Sequence, residues 1–423
     1  MADEIESTKD AEYYAGDYLF DYYANYYGID FPEKHAADII YIYISPFLLL
    51  FGTIGNMLSL VIMYRMSHQV FSTCIYLCLM AIVDLLVLYT RCGNKWLNKV
   101  THIDLSSMLM VSSESVCKLY PFVFNFIFHL SKWLMVCVAI EGLIATRYPE
   151  KSDTMCSLSR AKAVVLLLTV LLVCINIHYF WSFELIFLKE LGDPNAYYCT
   201  FAKHGHQQSE LFQNVIWPIL DLLVAEIIPY CLVIVCGAFM IAQIYKGKHH
   251  GNAAHQAWRE RYQLNPAAMD QLKVTLLIVC IHFIVLTLPK FTYVIYQYIV
   301  DRHSLVEYSF QLEAQQMLAN AICATLEHLF LSGKFVIYFS SSLQFRKECY
   351  NLICKCCQPR GITIFPQDRE NIQNLKHSGN GMKLEYSGAL LPDSADTLYT
   401  MDTLDIMDTM ALTGPMIGHV TTV

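Results

Sequence analysis

Several ionisable side chains stand inside long apolar stretches of this 423-residue chain. They are Asp84, Lys132, Glu226, Glu327 and Lys334. A charge among apolar residues is costly, so such a group normally faces an opposite charge, a ligand or water. These residues therefore indicate binding or ion-pair chemistry. For Glu226, a role in a polar pocket and a role in a structural pair are equally open.

Four histidines also lie within apolar stretches: His129, His178, His282 and His328. Histidine is a common zinc ligand, so a membrane-embedded metal-dependent hydrolase is one alternative. The four residues share no short motif with the spacing of metal ligands. We therefore expect no catalytic residue, no metal and no cofactor.

Seven apolar stretches carry these residues and fill most of the chain, at roughly 39–64, 71–91, 117–144, 162–187, 214–245, 271–299 and 315–339. Because about 20 apolar residues form a helix that crosses the hydrocarbon core, each stretch is long enough to span a membrane. No period-two strand pattern repeats, which argues against a barrel. No inverted repeat is seen, which argues against a transporter. The sequence predicts an all-α membrane protein, a seven-transmembrane helix bundle.

Basic residues set the expected orientation of the bundle. They concentrate in the segments 145–162 and 246–273 and after the seventh stretch. The positive-inside rule places these parts in the cytoplasm, with the N-terminus outside and the C-terminus inside a multi-pass plasma-membrane protein. The first outer loop follows this rule less closely, since the basic residues Arg91 and Lys95 lie in or near it. No cleavable signal peptide is expected, and no basic block is long enough to suggest nucleic-acid binding.

The chain divides into four regions. They are an extracellular tail over 1–38, the bundle over 39–341, a juxtamembrane amphipathic helix over 342–357 and a disordered cytoplasmic tail over 358–423. The first tail has ten Asp or Glu against two Lys, together with seven tyrosines. It is either a solvated disordered arm or a docking arm for a basic ligand, and its tyrosines are candidates for sulfation.

The juxtamembrane helix carries a cluster of four cysteines: Cys349, Cys354, Cys356 and Cys357. Cysteines beside a membrane are candidates for palmitoylation. A zinc site is the competing interpretation for the last three, but no fourth ligand stands at zinc spacing. The cluster therefore predicts lipidation.

Several motifs occur in the order and register of one family. They are Gly55-Asn56, Asp84, Trp96, Ser131 with Trp133, Pro229, Phe283 with Pro289, and Tyr338 followed by Phe345-Arg346. Together they resemble the rhodopsin-like (class A) G-protein-coupled receptors over about residues 39–357. The segment 139–149 is similar to FMRFamide-like peptide receptors, a largely invertebrate branch.

The resemblance implies a disulfide between Cys117 and Cys199, which would tie an outer loop across the bundle. It also implies a ligand pocket between the outer halves of the third, fifth, sixth and seventh spans. The candidate lining residues are Phe124, Phe128, Asp221, Lys290, Tyr293, Gln297 and Glu327. The acidic Asp221 and Glu327 would suit a basic ligand group.

The resemblance places Asp84 and Lys334 opposite each other, beside Asn56 and Ser131. In relatives this acid holds a sodium ion, and here the Lys334 ammonium is expected to take the role of that cation. The alternative is that Lys334 extends elsewhere, toward a polar boundary. These four residues and Lys132 form the predicted polar switch of the core.

Lys132 stands in the middle of the third span, where the family has an apolar residue that faces the fifth and sixth spans. Glu226 is its expected partner, and Asp221 and Glu327 are the alternatives. Because a charge within a span needs a partner, a second buried ion pair is expected close to the pocket.

The departures from the family pattern concern signalling. The family's acid–arginine–aromatic triplet reads Glu141-Gly142-Leu143 here, so the arginine is absent. Glu141 is then expected to find Arg160 or water. Thr287 and Gly237 replace two further switch residues of the sixth and fifth spans. The predicted coupling residues are Glu141, Gly142, Leu143 and Tyr338.

The resemblance implies a receptor for an extracellular ligand, a neuropeptide in this branch, that signals to heterotrimeric G proteins, to arrestin or to both. Asp-Thr pairs repeat every six residues over 396–409, a spacing like that of phosphorylation sites that recruit arrestin. Thr421–Val423 fits the carboxyl ends that PDZ domains bind. A ligand-binding decoy or scaffold that does not drive G proteins is the main alternative, and a seven-span hydrolase is a remote one. Membrane lipid is an expected partner.

Overall fold

The computed structural model describes residues 20, 29–67, 72–148, 155–187, 197–202, 211–249, 266–303 and 309–357. Seven helices in this part of the chain are long and apolar enough to cross a membrane, and they are called the first to seventh spans below. Their bounds are Pro32–Ser67, Thr73–Thr101, Glu114–Arg147, Leu158–Ser182, Trp217–Lys246, Gln271–Val300 and Phe310–Ser341. The all-α, seven-helix prediction is confirmed.

Serine side chains start three of the spans. Ser113 Oγ accepts a hydrogen bond from the Val116 amide at 3.3 Å, and Ser309 Oγ accepts one from the Leu312 amide at 3.2 Å. Ser157 caps the fourth span in the same way. Each hydroxyl satisfies an amide that has no partner within the helix, which fixes where the helix begins.

Three spans contain wider, π-helical segments. They are Ile40–Ile44 in the first, Leu88–Gly93 in the second and Leu222–Ile227 in the fifth. A π segment inserts one residue into the helical repeat and rotates the residues on either side of it, and such segments are frequent at functional sites. Arg91 and Glu226 both stand on π segments, and both side chains turn toward the third span.

The second and fourth spans differ from their predicted bounds. Helix continues past 91 to Thr101, where Lys99 Nζ lies 2.8 Å from Asp38 Oδ1 at the outer end of the first span. The fourth helix ends at Ser182. The apolar run beyond it, Phe183–Phe187, is a β-strand (β1) rather than helix.

β1 pairs antiparallel with β2, Tyr197–Phe201, and Leu185 lies opposite Cys199. Cys199 is bonded to Cys117 at the start of the third span, so the predicted disulfide is confirmed. The hairpin is thereby fastened to the outer end of the third span. The antiparallel ladder pairs the backbone groups of the two strands with each other.

The first tail meets the bundle earlier than predicted. The first span begins at Pro32, and the Phe20 ring is buried 5.1 Å from Phe31 and 5.9 Å from Phe310. The tyrosines of this tail lie outside the described residues, as does everything after 357.

The third span carries much of the core. Leu134, Met240 and Leu276 are fully buried where the third, fifth and sixth spans meet. Large apolar side chains such as Leu166 and Val336 point outward instead. This distribution suits a bundle surrounded by lipid, because an outward apolar side chain then costs nothing.

The juxtamembrane helix, Leu343–Cys357, is fixed to the seventh span. Phe345 is fully buried with its ring 5.7 Å from Tyr338, and Arg346 Nη1 donates to the carbonyls of Phe339 and Ser340. On the same helix Cys349 is buried, and this burial raises the pKa of its thiol. Cys354 is exposed, whereas the side chains of Cys356 and Cys357 lie outside the described residues.

Acylation should therefore depend on Cys354 rather than Cys349. We expect a variant that keeps only Cys354 of the four cysteines to be labelled by acyl-exchange chemistry. The matched variant that keeps only Cys349 should remain unlabelled, because a buried thiol with a raised pKa offers little thiolate. Equal labelling of the two variants would contradict this expectation.

Candidate functional site

One buried ion pair joins the second and seventh spans. Lys334 Nζ lies 2.6 Å from Asp84 Oδ2, and both side chains are essentially inaccessible, at 2% and 0% exposed. The ammonium also lies 4.2 Å from the centre of the Phe330 ring. From the first span, Asn56 Nδ2 donates to the Leu331 carbonyl at 3.2 Å. Three spans therefore meet around this pair.

This arrangement does not fit a sodium ion. The position next to the Asp84 carboxylate is occupied by the Lys334 ammonium, and Phe330 and Leu331 contribute apolar side chains nearby. A sodium site needs several oxygen ligands around one cation. Here one amino group supplies the positive charge instead.

A second buried ion pair lies in the same interior. Lys132 Nζ donates to Glu327 Oε1 at 2.8 Å and lies 3.7 Å from Glu226 Oε2. All three side chains are less than a tenth exposed. The closer partner is thus Glu327 of the seventh span, and the expected partner Glu226 of the fifth span is the more distant one. Lys132 connects the third span to both.

Local structure aims these groups inward. Glu226 stands on the π segment of the fifth span, and Trp133 Nε1 donates to the Val224 carbonyl of that segment at 3.1 Å. This hydrogen bond uses a carbonyl that the altered helical repeat leaves available. It holds the fifth span against the third at the level of Lys132.

A small cavity adjoins the second ion pair, with room for about one water molecule. Its lining combines the charged pair with apolar and hydroxyl side chains: Val87, Phe128, Ser131, Lys132, Phe283, Thr287, Glu327, Phe330 and Leu331. Two of the predicted ligand-binding residues, Phe128 and Glu327, therefore lie at this cavity. The buried residue Thr287 donates its hydroxyl to the Phe283 carbonyl at 2.7 Å.

Three other predicted ligand-binding residues connect the outer parts of the sixth and seventh spans. Lys290 Nζ donates to Asn320 Oδ1 at 2.8 Å, and Tyr293 Oη donates to the Gln316 carbonyl at 3.0 Å. Gln297 Nε2 donates to Tyr293 Oη at 2.8 Å. The bonds of Lys290 and Tyr293 thus connect the sixth span to the seventh.

Asp221 takes part in a network that the sequence did not reveal. Asn176 Nδ2 donates to the Leu172 carbonyl and to His129 Nδ1, the latter at 3.0 Å. Since Nδ1 accepts, the proton of the neutral ring lies on Nε2, which is 2.9 Å from Asp221 Oδ1. Asp221 thus bonds a neutral ring and stays 38% exposed, so its role toward a basic ligand group stays a prediction. Glu327, by contrast, is buried against Lys132.

The sequence also did not identify Arg91 as a residue of the site. The structure places it within the second span, where its guanidinium carbon lies 3.7 Å from the centre of the Phe128 ring and 5.0 Å from that of Phe124. This is a cation–π contact with the predicted pocket residues. The π segment that turns Arg91 inward leaves no clear sequence pattern.

The four histidines of the spans do not share one location. His129 is held by Asp221 and Asn176, whereas the His178 ring lies 3.7 Å from the Trp217 ring. Among the described residues, no group of three or more His, Cys, Asp or Glu is close enough to hold a metal ion.

The C-terminal end of the third span is tightly packed. Ser72 Oγ donates to Glu141 Oε1 at 2.5 Å, so Ser72 takes the place expected for Arg160. A Cβ added at Gly142 would lie 2.9 Å from Met240 Cε and 3.3 Å from Leu276 Cβ. A side chain here would have to displace Met240 and crowd Leu276, so glycine permits the close approach of the fifth and sixth spans. By contrast, a Cβ at Gly237 would meet only ordinary contact at 3.9 Å.

Comparison with known proteins agrees with this architecture. The family model of the seven-transmembrane receptors of the rhodopsin family matches residues 55–343. The chain therefore belongs to the rhodopsin family of G-protein-coupled receptors. Proteins of this family are receptors rather than enzymes, and they are multi-pass proteins of the plasma membrane. No curated protein matches the chain at a significant level.

Removal of the Lys132 charge should lower the stability of the bundle. We expect Lys132→Met to lower the free energy of unfolding by about 3–5 kcal/mol, because two buried carboxylates lose their cation. The double variant Lys132→Met/Glu327→Gln should recover much of this loss. Thermal unfolding of the purified receptor measures both effects.

The matched control is Lys118→Met. Lys118 lies on the same span, but its partner Glu114 is exposed at the helix surface. This variant should unfold close to the temperature of the unmodified receptor. A similar loss in Lys118→Met and Lys132→Met would contradict the buried-pair interpretation.

Proposed function

We propose that this receptor binds an extracellular peptide, a neuropeptide, in the outer part of the bundle. The observation that carries the proposal is the charged cluster of Lys132, Glu226 and Glu327, which lies below aromatic side chains of the third span. Peptides offer both charged and aromatic groups to such a site. The likeness of segment 139–149 to FMRFamide-like receptors supports the same ligand class.

The hairpin supports a peptide rather than a ligand that enters from lipid. The Cys117–Cys199 bond holds β1 and β2 above the third span, where they bound the extracellular entrance. A two-stranded edge offers backbone groups to an extended chain. A peptide that enters between this hairpin and the sixth and seventh spans would reach Lys290 and Tyr293 first.

The seventh span offers a route from the ligand to the core. Glu327, Leu331 and Lys334 follow each other at helical spacing, so they share one face. Glu327 holds Lys132, and Lys334 holds Asp84 one to two turns closer to the cytoplasm. A ligand that changes the Glu327 contact would therefore act on the span that carries the core pair.

Coupling to G proteins is proposed to be weak, with arrestin as the second partner. Met240 and Leu276 fill the space beside Gly142, the position at which the family pattern has an arginine. No side chain from this position can then meet a G protein. The Asp-Thr repeat of the cytoplasmic tail is the candidate arrestin site, and it lies outside the described residues. The same packing at Gly142 favours a decoy or scaffold receptor as the second candidate function.

A neuropeptide library applied to cells with both G-protein and arrestin reporters tests the proposal. A peptide that gives an arrestin signal and a small G-protein signal would agree with it. Binding of a peptide without either signal would favour the decoy. Failure of every peptide to bind, with a small-molecule agonist found instead, would refute peptide recognition.

Restoring the family residue at position 142 should increase G-protein signalling. We expect Gly142→Arg to raise G-protein output several-fold over the unmodified receptor. The side chain would displace Met240 and Leu276, which opens the cytoplasmic end, and it would supply the missing contact. A nucleotide-exchange assay with purified G protein measures the change.

Gly142→Ala separates the two causes. The added methyl group meets Met240 at the same 2.9 Å but supplies no charge. An increase in both variants would assign the effect to opening, and an increase in Gly142→Arg alone to the contact. Robust exchange by the unmodified receptor, with no gain in Gly142→Arg, would show that the glycine does not limit coupling.

A further inference from the structure

The outer interior of the bundle carries more positive than negative charge. Arg91, Lys132 and Lys290 face two carboxylates, Glu226 and Glu327. All three cations act electrostatically on both carboxylates, so the five groups form one cluster. Its formal charge is +1, because three positive charges meet two negative ones. A positive cluster in a low-dielectric interior attracts an anion.

Within the described part of the chain, Arg91 and Lys290 are the two cations of this cluster that form no ion pair. Lys132 is already paired, because its Nζ lies 2.8 Å from Glu327 Oε1 and 3.7 Å from Glu226 Oε2. Among the described residues, Arg91 makes no hydrogen bond or ion pair, and its contacts are the rings of Phe128 and Phe124.

Lys290 is only partly satisfied. Its ammonium donates to the neutral amide oxygen of Asn320 and lies 5.4 Å from the centre of the Tyr293 ring. The two cations also repel each other, since Arg91 acts on Lys290. An anion bound within the cluster would reduce this repulsion.

The geometry of Arg91 favours a carboxylate. The Phe128 ring covers one face of the guanidinium at 3.7 Å, so its N–H groups project sideways from the ring stack. A planar fork of N–H donors matches the two oxygens of a carboxylate. The half-buried position of Arg91 strengthens such a bond relative to one in bulk water.

We infer that the ligand of this receptor presents a carboxylate, which binds the Arg91 guanidinium within this cluster, where Lys290 is the second cation without an ion pair. The inference rests on the proposed peptide-binding function and names the group by which the peptide is recognised. It differs from the expectation of a basic ligand group, because Glu327 is paired with Lys132, whereas Arg91 and Lys290 form no ion pair among the described residues. The carboxylate belongs either to the C-terminus of the peptide or to an acidic side chain.

Two small probes that differ only in charge test this inference on the purified full-length receptor. N-acetyl-phenylalanine carries a carboxylate and an aromatic ring, and N-acetyl-phenylalaninamide replaces the carboxylate by a neutral amide. We expect the acid, but not the amide, to raise the Tm with increasing concentration. The 1-amide of N-acetyl-aspartic acid, whose only carboxylate is in the side chain, identifies the source that the site prefers.

Substitutions locate the response. Arg91→Gln and Lys290→Gln should each weaken the apparent affinity for the acid by about tenfold or more, because each removes a charged donor. The control Lys118→Gln, also at the outer end of the third span, should leave the affinity unchanged. If a glutamine variant does not fold, Arg91→Lys serves instead, because it keeps the charge and loses the planar fork.

Equal stabilisation by the acid and the amide would overturn the inference, as would an unchanged response in both glutamine variants. The outcome is independent of the search for a peptide agonist. Peptides that bind equally well to the unmodified receptor and to Arg91→Gln would keep the proposed function and refute the carboxylate. An acid response without any active peptide would keep the anion site and refute the peptide.

Discussion

Lys334 and Asp84 meet at 2.6 Å in an interior from which solvent is excluded, and the packing of the bundle is arranged around this contact. Neither group has another charge of opposite sign among its described contacts. Separation of the two would leave a bare charge in an apolar core, at a cost of several kcal/mol. The pair therefore sets the position of the seventh span relative to the second, although apolar residues of equal size would pack as stably.

A second layer of charge lies farther out, and the two layers are connected through the seventh span. Phe330 lies on Lys334 at 4.2 Å and on Phe283 of the sixth span at 5.3 Å. It also lines the cavity beside Glu327. A movement of Glu327 would thus reach both the core pair and the sixth span. The cytoplasmic end differs in character, because there an apolar contact at Gly142 replaces the charged one of relatives.

Much of this architecture follows from the sequence, since seven stretches of about 20 apolar residues have one solution in a membrane. The features that the sequence did not predict depend on local backbone geometry or on contacts between distant parts of the chain. The sequence predicts helix at β1, because an apolar run has the same composition in either form. The sequence predicts Arg91 in or near a loop, because its π segment has no sequence signature. Lys132 lies closer to Glu327 than to Glu226, and this depends on how three spans pack together. The sequence alone does not predict that packing.

The dependence of stability on sodium tests the central claim most directly. Thermal unfolding of the unmodified receptor would be measured in sodium chloride and in choline chloride at equal ionic strength, beside Lys334→Asn. The claim that the Lys334 ammonium replaces the ion predicts the same Tm in both salts for the unmodified receptor. It predicts a higher Tm in sodium for Lys334→Asn, in which Asp84 is free to bind the ion. A clear rise of Tm with sodium in the unmodified receptor would contradict the claim.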